Sequence, residues 1–271
     1  MHRVLAIFFF LTPLMITATE LIRQPRHLHR RREACGRKYI AYEPLFRSPC
    51  GDVTYRAREL GSNREVSVKV TKKAEWPSYD RRDIFFSKLL AQSRHMVSLH
   101  CATDDTIVME YCSVNLRFML DRLGFMVDAE MIFEELLPDL IEILAVLQVN
   151  DVVHTRFEPQ FIMWCDGVFK LKGFNQAVKL QNETYRKRAS FQTPDLYSAP
   201  EVLQGYVHRY SDMYSFGLVL RDLVQHSNIV DETLTELMNE LLRDDLRSRL
   251  PFYKAYEYVY RLKAKHSSTT S

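Results

Sequence analysis

Residues 152–164 read VVHTRFEPQFIMW, and the segments on either side of this stretch decide how the chain folds. Upstream, from Met131 to Gln148, apolar residues recur at the spacing of one helix face, which predicts a helix. Downstream, short apolar runs at Phe161–Trp164 and Val168–Leu171 flank the turn residues CDG, which predicts two strands. The stretch therefore lies between a long helix and a pair of strands.

The N-terminal half carries mainly strand patterns. The segments DVTYRAREL (52–60) and REVSVKV (64–70) alternate, and the turn signal GSN between them predicts a hairpin with Val66, Val68 and Val70 on one face. Residues 80–92 predict a helix, and MVSLHCA and TIVMEY predict strands around the turn TDD. After Ser211 the pattern is helical. Strands with one helix, followed mainly by helices, predict an α+β fold in two lobes.

Composition limits the function classes. The 271 residues are 46% hydrophobic and 12% aromatic, which is ample for a packed core. The formal net charge of +3 is too small to indicate nucleic acid or a membrane surface as a partner. No repeat with a period of about 20–50 residues stands out, which argues against a repeat architecture.

Six segments resemble, in the correct order, segments of the protein-kinase domain between about Tyr39 and Leu262. VSVKV resembles the strand that carries the ATP lysine, which would be Lys69 here. The other five are IVMEYCS, LIEILAVLQVNDVVHTRFEP, YSAPEVLQG, YSDMYSFGLVL and DDLRSRLPFYKAYEYV. The resemblance implies a bilobal kinase-like fold with a β-rich N-lobe at 39–112 and a mainly helical C-lobe at 113–265. Within the family the chain looks most like divergent secretory-pathway kinases, such as protein O-mannose kinase and the vertebrate lonesome kinase.

The residues that handle phosphate and metal in this family are replaced here. Arg156 stands at the position of the catalytic base, Glu158 at that of a lysine, and Phe161 at that of the asparagine that holds metal. D-F-G reads GFN, so Gly173 replaces the metal-binding aspartate, and of the glycine-rich loop only Gly51 remains, in FRSPCG. A guanidinium has no acceptor for a proton and a phenyl ring has no oxygen for a metal. We expect solvated loop charges at Arg156 and Glu158, with a mutual pair as the alternative.

Residues with a structural role in the family are kept. The resemblance assigns bracing of the catalytic-loop backbone to His154 and Asp212, and a paired tie to Glu201 and Arg249. The helix that should present a glutamate to Lys69 has none, and Asp83, the nearest acid, is a poor candidate by register. The chain thus keeps what holds the fold and loses what handles phosphate and metal.

The N-terminus predicts entry into the secretory pathway. Residues 1–18 combine a basic start, an apolar run and small residues near Ala18, as in a cleaved signal peptide. The alternative is an uncleaved anchor that leaves the domain in the cytoplasm. A basic linker is expected at 19–38 and a disordered tail at 266–271. Asn182 begins a glycosylation sequon, which matters only for a lumenal or extracellular domain.

Five cysteines leave their pairing open. They form no CxxC pair, so zinc is not indicated, and an oxidising lumen would give one or two disulfides with one thiol left over. Cys101, Cys112 and Cys165 lie in apolar strand-like stretches, where buried free thiols are the default interpretation.

The sequence thus favours a pseudokinase, not an enzyme, that serves as a scaffold or allosteric regulator of a protein partner such as an active kinase. No catalytic residue, metal or cofactor is expected, and metal-free ATP binding through a vestigial Lys69 stays open. One alternative is an active divergent kinase that recruits other acids, for which Asp151, Asp166, Asp195 and Glu158 are the candidates. Another is a secreted binding module without a kinase partner. A membrane is expected as a partner only if the N-terminal segment stays uncleaved.

Overall fold

The computed structural model of the chain describes residues 30–47, 51–71, 78–123, 129–180, 184–186, 196–227 and 229–267. The predicted signal segment, Cys50 and Asn182 lie outside these residues. The chain divides into two compact units, one formed by residues up to 72 with 101–108, the other by residues 73–100 and 109 onward. None of the helices in the described part of the chain is long and apolar enough to cross a membrane.

The first unit contains most of a six-stranded sheet, whose strands are β1 (Arg30–Ala34), β2 (Arg37–Arg47), β3 (Val53–Glu59), β4 (Glu65–Val70), β5 (Leu99–Ala102) and β6 (Thr106–Glu110). The strand order is β1-β2-β3-β4-β6-β5, and β1 to β4 pair antiparallel in sequence. The predicted hairpin is present, since β3 pairs with β4 in the register Val53↔Val70. Val66, Val68 and Val70 are buried on one face, as their alternation predicts.

The second unit is mainly helical. Its helices are α1 (Ser78–Leu89), α2 (Leu116–Leu123), α3 (Leu137–Val149), α4 (Pro200–Leu203), α5 (Ser211–His226), α6 (Glu232–Leu241) and α7 (Phe252–Ser267). Short strands join them: β7 (Val114–Asn115), β8 (Val152–Val153), β9 (Ile162–Cys165), β10 (Val168–Leu171), β11 (Val178–Lys179), β12 (Thr184–Arg186) and β13 (Tyr206–His208). Two 3-10 turns, Pro159–Phe161 and Phe174–Gln176, flank β9 and β10. One large apolar cluster centred on α3 and α5 forms the core.

The long helix predicted from Met131 begins as a π-helix. Residues Met131–Leu136 are π-helical, and the α-helical part begins at Leu137, one residue before Pro138. Proline has no N–H to donate to the carbonyl four residues earlier, so the α-helical ladder is interrupted there. The carbonyl that loses this donor belongs to Glu134, and it accepts a hydrogen bond of 3.1 Å from Lys263 Nζ on α7. The proline is thus tolerated because a side chain supplies the missing donor.

Three predicted domain limits are wrong. Residues 30–38 are not a linker, because β1 pairs with β2 from Arg30↔Ala41 to Ala34↔Arg37. Residues 266 and 267 are not a disordered tail, because α7 continues through Ser267 and the His266 ring stacks on Phe133 with 3.7 Å between centroids. Residues 78–100, predicted as part of the N-lobe, group with the helical unit, since α1 packs against the turn at Phe174–Gln176.

Four of the five cysteines form disulfides, which corrects the expectation of buried free thiols. Cys35 in the β1–β2 turn bonds Cys101 on β5, within the sheet unit. Cys112, just before β7, bonds Cys165 at the end of β9, within the helical unit. Each disulfide therefore ties sequence-distant strands within one unit.

Candidate functional site

The loop after β8 is held by one buried carboxylate. Asp212 at the start of α5 accepts the backbone N–H of His154 at 2.6 Å and that of Thr155 at 2.9 Å. Complete burial raises the pKa of Asp212 to about 7, against the lowering effect of these two bonds. Thr155 has a φ of 65°, which is uncommon for a residue with a side chain. The two bonds to Asp212 therefore fix a backbone conformation that the loop would not adopt by itself.

His154 ties this loop to the GFN segment. Its imidazole is buried, its Nε2 donates to the carbonyl of Lys172 at 3.1 Å, and the ring meets Phe174 edge-on at 5.0 Å. Burial lowers the pKa of His154 to about 4, so the ring is neutral near pH 7. The histidine thus braces two loops and carries no charge for chemistry.

Arg156 and Glu158 form an ion pair, so the expectation of solvated loop charges is wrong. Arg156 Nη2 lies 2.8 Å from Glu158 Oε1, and the Glu158 side chain is only 6% exposed. The guanidinium carbon also lies 4.9 Å from the centroid of the Phe161 ring, within the range of a cation–π contact. The positions of the family's base and lysine are thus occupied by two charges that neutralise each other beside an aromatic ring.

Phe161 and Gly173 fit each other closely. Gly173 has a φ of 87°, and a Cβ built on it would stand 2.5 Å from Phe161 Cδ1 and 2.8 Å from Cε1. The ring of Phe161 therefore occupies the space that the Cβ of any other residue at position 173 would take. A magnesium ion requires oxygen ligands, and neither residue has a side-chain oxygen to offer. The two positions do not fit the metal that the family fold implies.

Asp83 has a place that the sequence did not predict. Its Oδ1 accepts the backbone N–H of Phe174 at 2.7 Å, and Phe86 on the same helix lies 6.4 Å from the Phe174 ring. Burial lowers the pKa of the neighbouring Lys172, while the charge of Asp83 acts to raise it. Helix α1 is thus attached to the GFN segment, a contact between segments about 90 residues apart that no local pattern signals.

Glu201 and Arg249 form a buried bidentate pair. The Glu201 oxygens lie 2.7 and 3.0 Å from Arg249 Nη1 and Nη2, and Arg249 is 2% exposed. Its other N–H groups donate to the carbonyls of Arg243, Tyr210 and Asp244. All five guanidinium donors therefore have an acceptor.

Arg117, Tyr197 and Asp222 form a second polar cluster, which the sequence did not indicate. Asp222 on α5 accepts Arg117 of α2 at 2.5 Å and also the hydroxyl of Tyr197, which precedes the APE segment. Burial, followed by the Asp222 hydrogen bond, raises the pKa of the Tyr197 hydroxyl. These three residues lie far apart in sequence, and only the fold brings them together.

The remaining candidates lie on other segments of the chain. Lys69 is on β4 in the sheet unit, opposite Thr54, on the face of the strand away from Val68 and Val70. Asp151 pairs with Arg209 at 3.3 Å at the surface, and Asp166 lies in the β9–β10 turn with a φ of 48°. Asp195 and Asn182 lie outside the described residues.

Two comparisons with known proteins found similar sequences. The family model of the protein kinase domain matches residues 49–250. A probable serine/threonine-protein kinase of Dictyostelium discoideum is 31% identical over 90 residues, which are 30% of this chain and 21% of that protein. The match therefore spans about a fifth of that relative's length.

The matches confirm one expectation and correct another. The α+β fold, with a β-sheet N-lobe and a mainly helical C-lobe, is confirmed by the family match. The expectation that the chain is not an enzyme is contradicted, because a kinase domain and a serine/threonine-kinase relative point to a possible kinase.

Proposed function

Because this chain belongs to the protein kinase domain family, we propose that it binds a protein partner, as a scaffold or allosteric regulator in the secretory pathway. The finer likeness to divergent secretory-pathway kinases is part of this proposal. In this proposal, the loop from His154 to Phe161 has a structural role and stabilises the surface that binds the partner.

The contact between Phe161 and Gly173 carries the proposal. In the family these two positions hold metal. Here a phenyl ring lies where a side chain on Gly173 would stand, 2.5 Å from the position of its Cβ. The two replacements depend on each other, because the phenyl ring of Phe161 fits here only if residue 173 is glycine. Together they leave both positions without a metal ligand. We therefore propose that the chain does not bind ATP in a magnesium-dependent way, while metal-free binding through Lys69 stays open.

The state of Arg156 gives further support. Phosphoryl transfer in this family uses a carboxylate to accept the hydroxyl proton of the substrate. Arg156 has no acceptor, and it is engaged by Glu158 at 2.8 Å and by the Phe161 ring. The charge pair and the ring contact favour a structural role for these side chains.

The bracing contacts support a rigid binding platform. The loop keeps its ties to Asp212, and the later helices keep the bidentate tie between Glu201 and Arg249. These groups are buried and satisfied, and neither tie requires nucleotide. A fold that retains such ties can present constant surfaces to a partner.

The two disulfides support the secretory assignment. Disulfides persist in oxidising compartments and are rare where thiols are kept reduced. Cys35–Cys101 and Cys112–Cys165 tie segments that are 66 and 53 residues apart in sequence. A lumenal or extracellular domain is the location that fits these bonds.

Phosphoryl transfer is the second candidate function, and the two kinase matches favour it. It would require carboxylates other than those at the family positions. Of the acids considered for this role, Asp151 and Asp166 lie within the described residues and are not engaged in a buried ion pair. In this candidate, replacing one of them would abolish transfer without unfolding the domain.

Thermal unfolding with ATP, with and without magnesium, tests the proposal. A ligand at a hundred times its dissociation constant stabilises by about 2.7 kcal/mol, which a melting curve resolves. We expect no magnesium-dependent rise in Tm. A magnesium-dependent rise, with transfer that is lost in Asp151→Asn or Asp166→Asn, would establish the second candidate instead. A stable complex with a second kinase would distinguish a regulator from a plain binding module.

A further inference from the structure

Three potential metal ligands converge where the chain leaves β6. The carboxylate of Glu110, the sulfur of Cys112 and the sulfur of Cys165 all lie within 4.8 Å of one another. β7 pairs with β9 in the register Val114↔Trp164, which holds the segment that carries Cys112 beside the one that carries Cys165. All three residues belong to the helical unit.

Glu110 is held in place by two donors. Its Oε1 accepts Lys170 Nζ at 2.5 Å, and its Oε2 accepts the backbone N–H of Ser98 at 3.1 Å. These two contacts orient the carboxylate, as outer contacts orient a metal ligand.

The cysteine geometry fits a tetrahedral ion. Two zinc–sulfur bonds of about 2.3 Å at a tetrahedral angle place the sulfurs about 3.8 Å apart. The Cα atoms of Cys112 and Cys165 are 4.7 Å apart. Cα atoms at this distance allow that sulfur separation once the S–S bond is broken and the side chains rotate about χ1.

We propose that, once the Cys112–Cys165 disulfide is reduced, its two thiolates and the Glu110 carboxylate bind a zinc ion. A dithiol or phosphine reductant supplies two electrons, the disulfide takes these with two protons, and zinc binding then releases the two thiol protons. Water completes the fourth position. Three anionic ligands around Zn²⁺ leave a net charge of −1, which the ammonium of Lys170 offsets.

The surroundings favour retention of such an ion. Val97, Met109 and Met163 pack around the two cysteines and limit access of water. Thiolate ligands select soft cations, so magnesium and calcium are excluded by the donor set. The same cross-link between the β7 segment and β9 is then available in two forms, a disulfide under oxidising conditions and a thiolate–metal bridge under reducing ones.

Cobalt(II) titration of the full chain, reduced with a phosphine in the absence of oxygen, tests the site. We expect one cobalt ion per chain with a thiolate-to-metal charge-transfer band, displaced by one equivalent of zinc, and no such band in the oxidised chain. Cys35→Ser is the matched control, since it removes the other disulfide and should leave the signal unchanged. Cys112→Ser should abolish it.

The variant Glu110→Gln distinguishes the proposed three-ligand site from zinc binding by the two thiolates alone. The Tm of the oxidised variant shows whether it still folds. Loss of the carboxylate should weaken zinc binding by at least about tenfold in competition with a chelator. A thiolate signal that persists in Cys112→Ser, or that disappears in Cys35→Ser, would overturn the site. Unchanged zinc affinity in Glu110→Gln would overturn the three-ligand assignment.

Discussion

Replacing Gly173 by alanine should destabilise the protein far more than the same change at Gly167. The two glycines have nearly the same φ, 87° and 86°, so a Cβ suffers the same backbone strain of about 1–2 kcal/mol at each. A Cβ on Gly167 has nothing within 4 Å, whereas one on Gly173 meets Phe161 Cδ1 at 2.5 Å. Such overpacking adds about 1–3 kcal/mol, which gives about 2–5 kcal/mol in total for Gly173→Ala.

Urea unfolding of both variants measures this difference directly, provided that the slope with denaturant is unchanged. The double variant Phe161→Ala/Gly173→Ala completes the cycle, because removal of the ring removes the clash. We expect a coupling energy of about 1–3 kcal/mol between the two sites. Equal losses in Gly173→Ala and Gly167→Ala, or strict additivity in the cycle, would refute the assignment of Phe161 to the space above Gly173.

Four further expectations concern charged residues and the location of the domain. Arg249→Ala should lower the free energy of unfolding by about 3–5 kcal/mol in denaturant titrations, since it leaves a buried carboxylate unpaired, whereas the exposed Arg247→Ala should change it by less than about 0.5 kcal/mol. Arg156→Ala should fall between them, at about 1–3 kcal/mol, because its partner is also buried. Because the pKa of Asp212 in the folded protein is raised to about 7, this carboxyl contributes its full stability below about pH 4 and loses it as the pH rises through 7. The difference in the free energy of unfolding between the unmodified chain and Asp212→Asn should therefore shrink from about pH 4 to about pH 7. Expressed in a secretory host, the chain should show an N-glycosidase-sensitive gel shift that Asn182→Gln abolishes, and an unglycosylated, membrane-bound product would contradict the lumenal location.

Local patterns were enough to predict much of the fold. The alternation in β4 and the turn before it determine the hairpin, and the CDG turn determines the β9–β10 pair. Both depend on interactions within about ten residues, which a sequence displays directly. The replaced positions at Arg156 and Gly173 were also visible, because the family segments around them keep their order.

Contacts that depend on the tertiary fold could not be predicted from local sequence patterns. Glu158 looked like a solvated loop charge because nothing near it in sequence shows that it is buried beside Arg156. The bond from the Phe174 N–H to Asp83 joins segments about 90 residues apart, and two disulfides depend on which strands become neighbours. The β1 strand was taken for a linker because its charged residues hide its pairing with β2.

The two disulfides close loops that follow one another along the chain without overlap, from 35 to 101 and from 112 to 165. On the proposed route into an oxidising compartment, both cysteines of the first loop enter before Cys112 does, and both cysteines of the second enter before the segments that form α4 to α7. Correct pairing therefore needs no reshuffling between the loops, and Cys50 is the one competitor, since it emerges while Cys35 still waits for Cys101. The order of synthesis itself thus favours the native bonds, and the sheet unit reaches its oxidised form first.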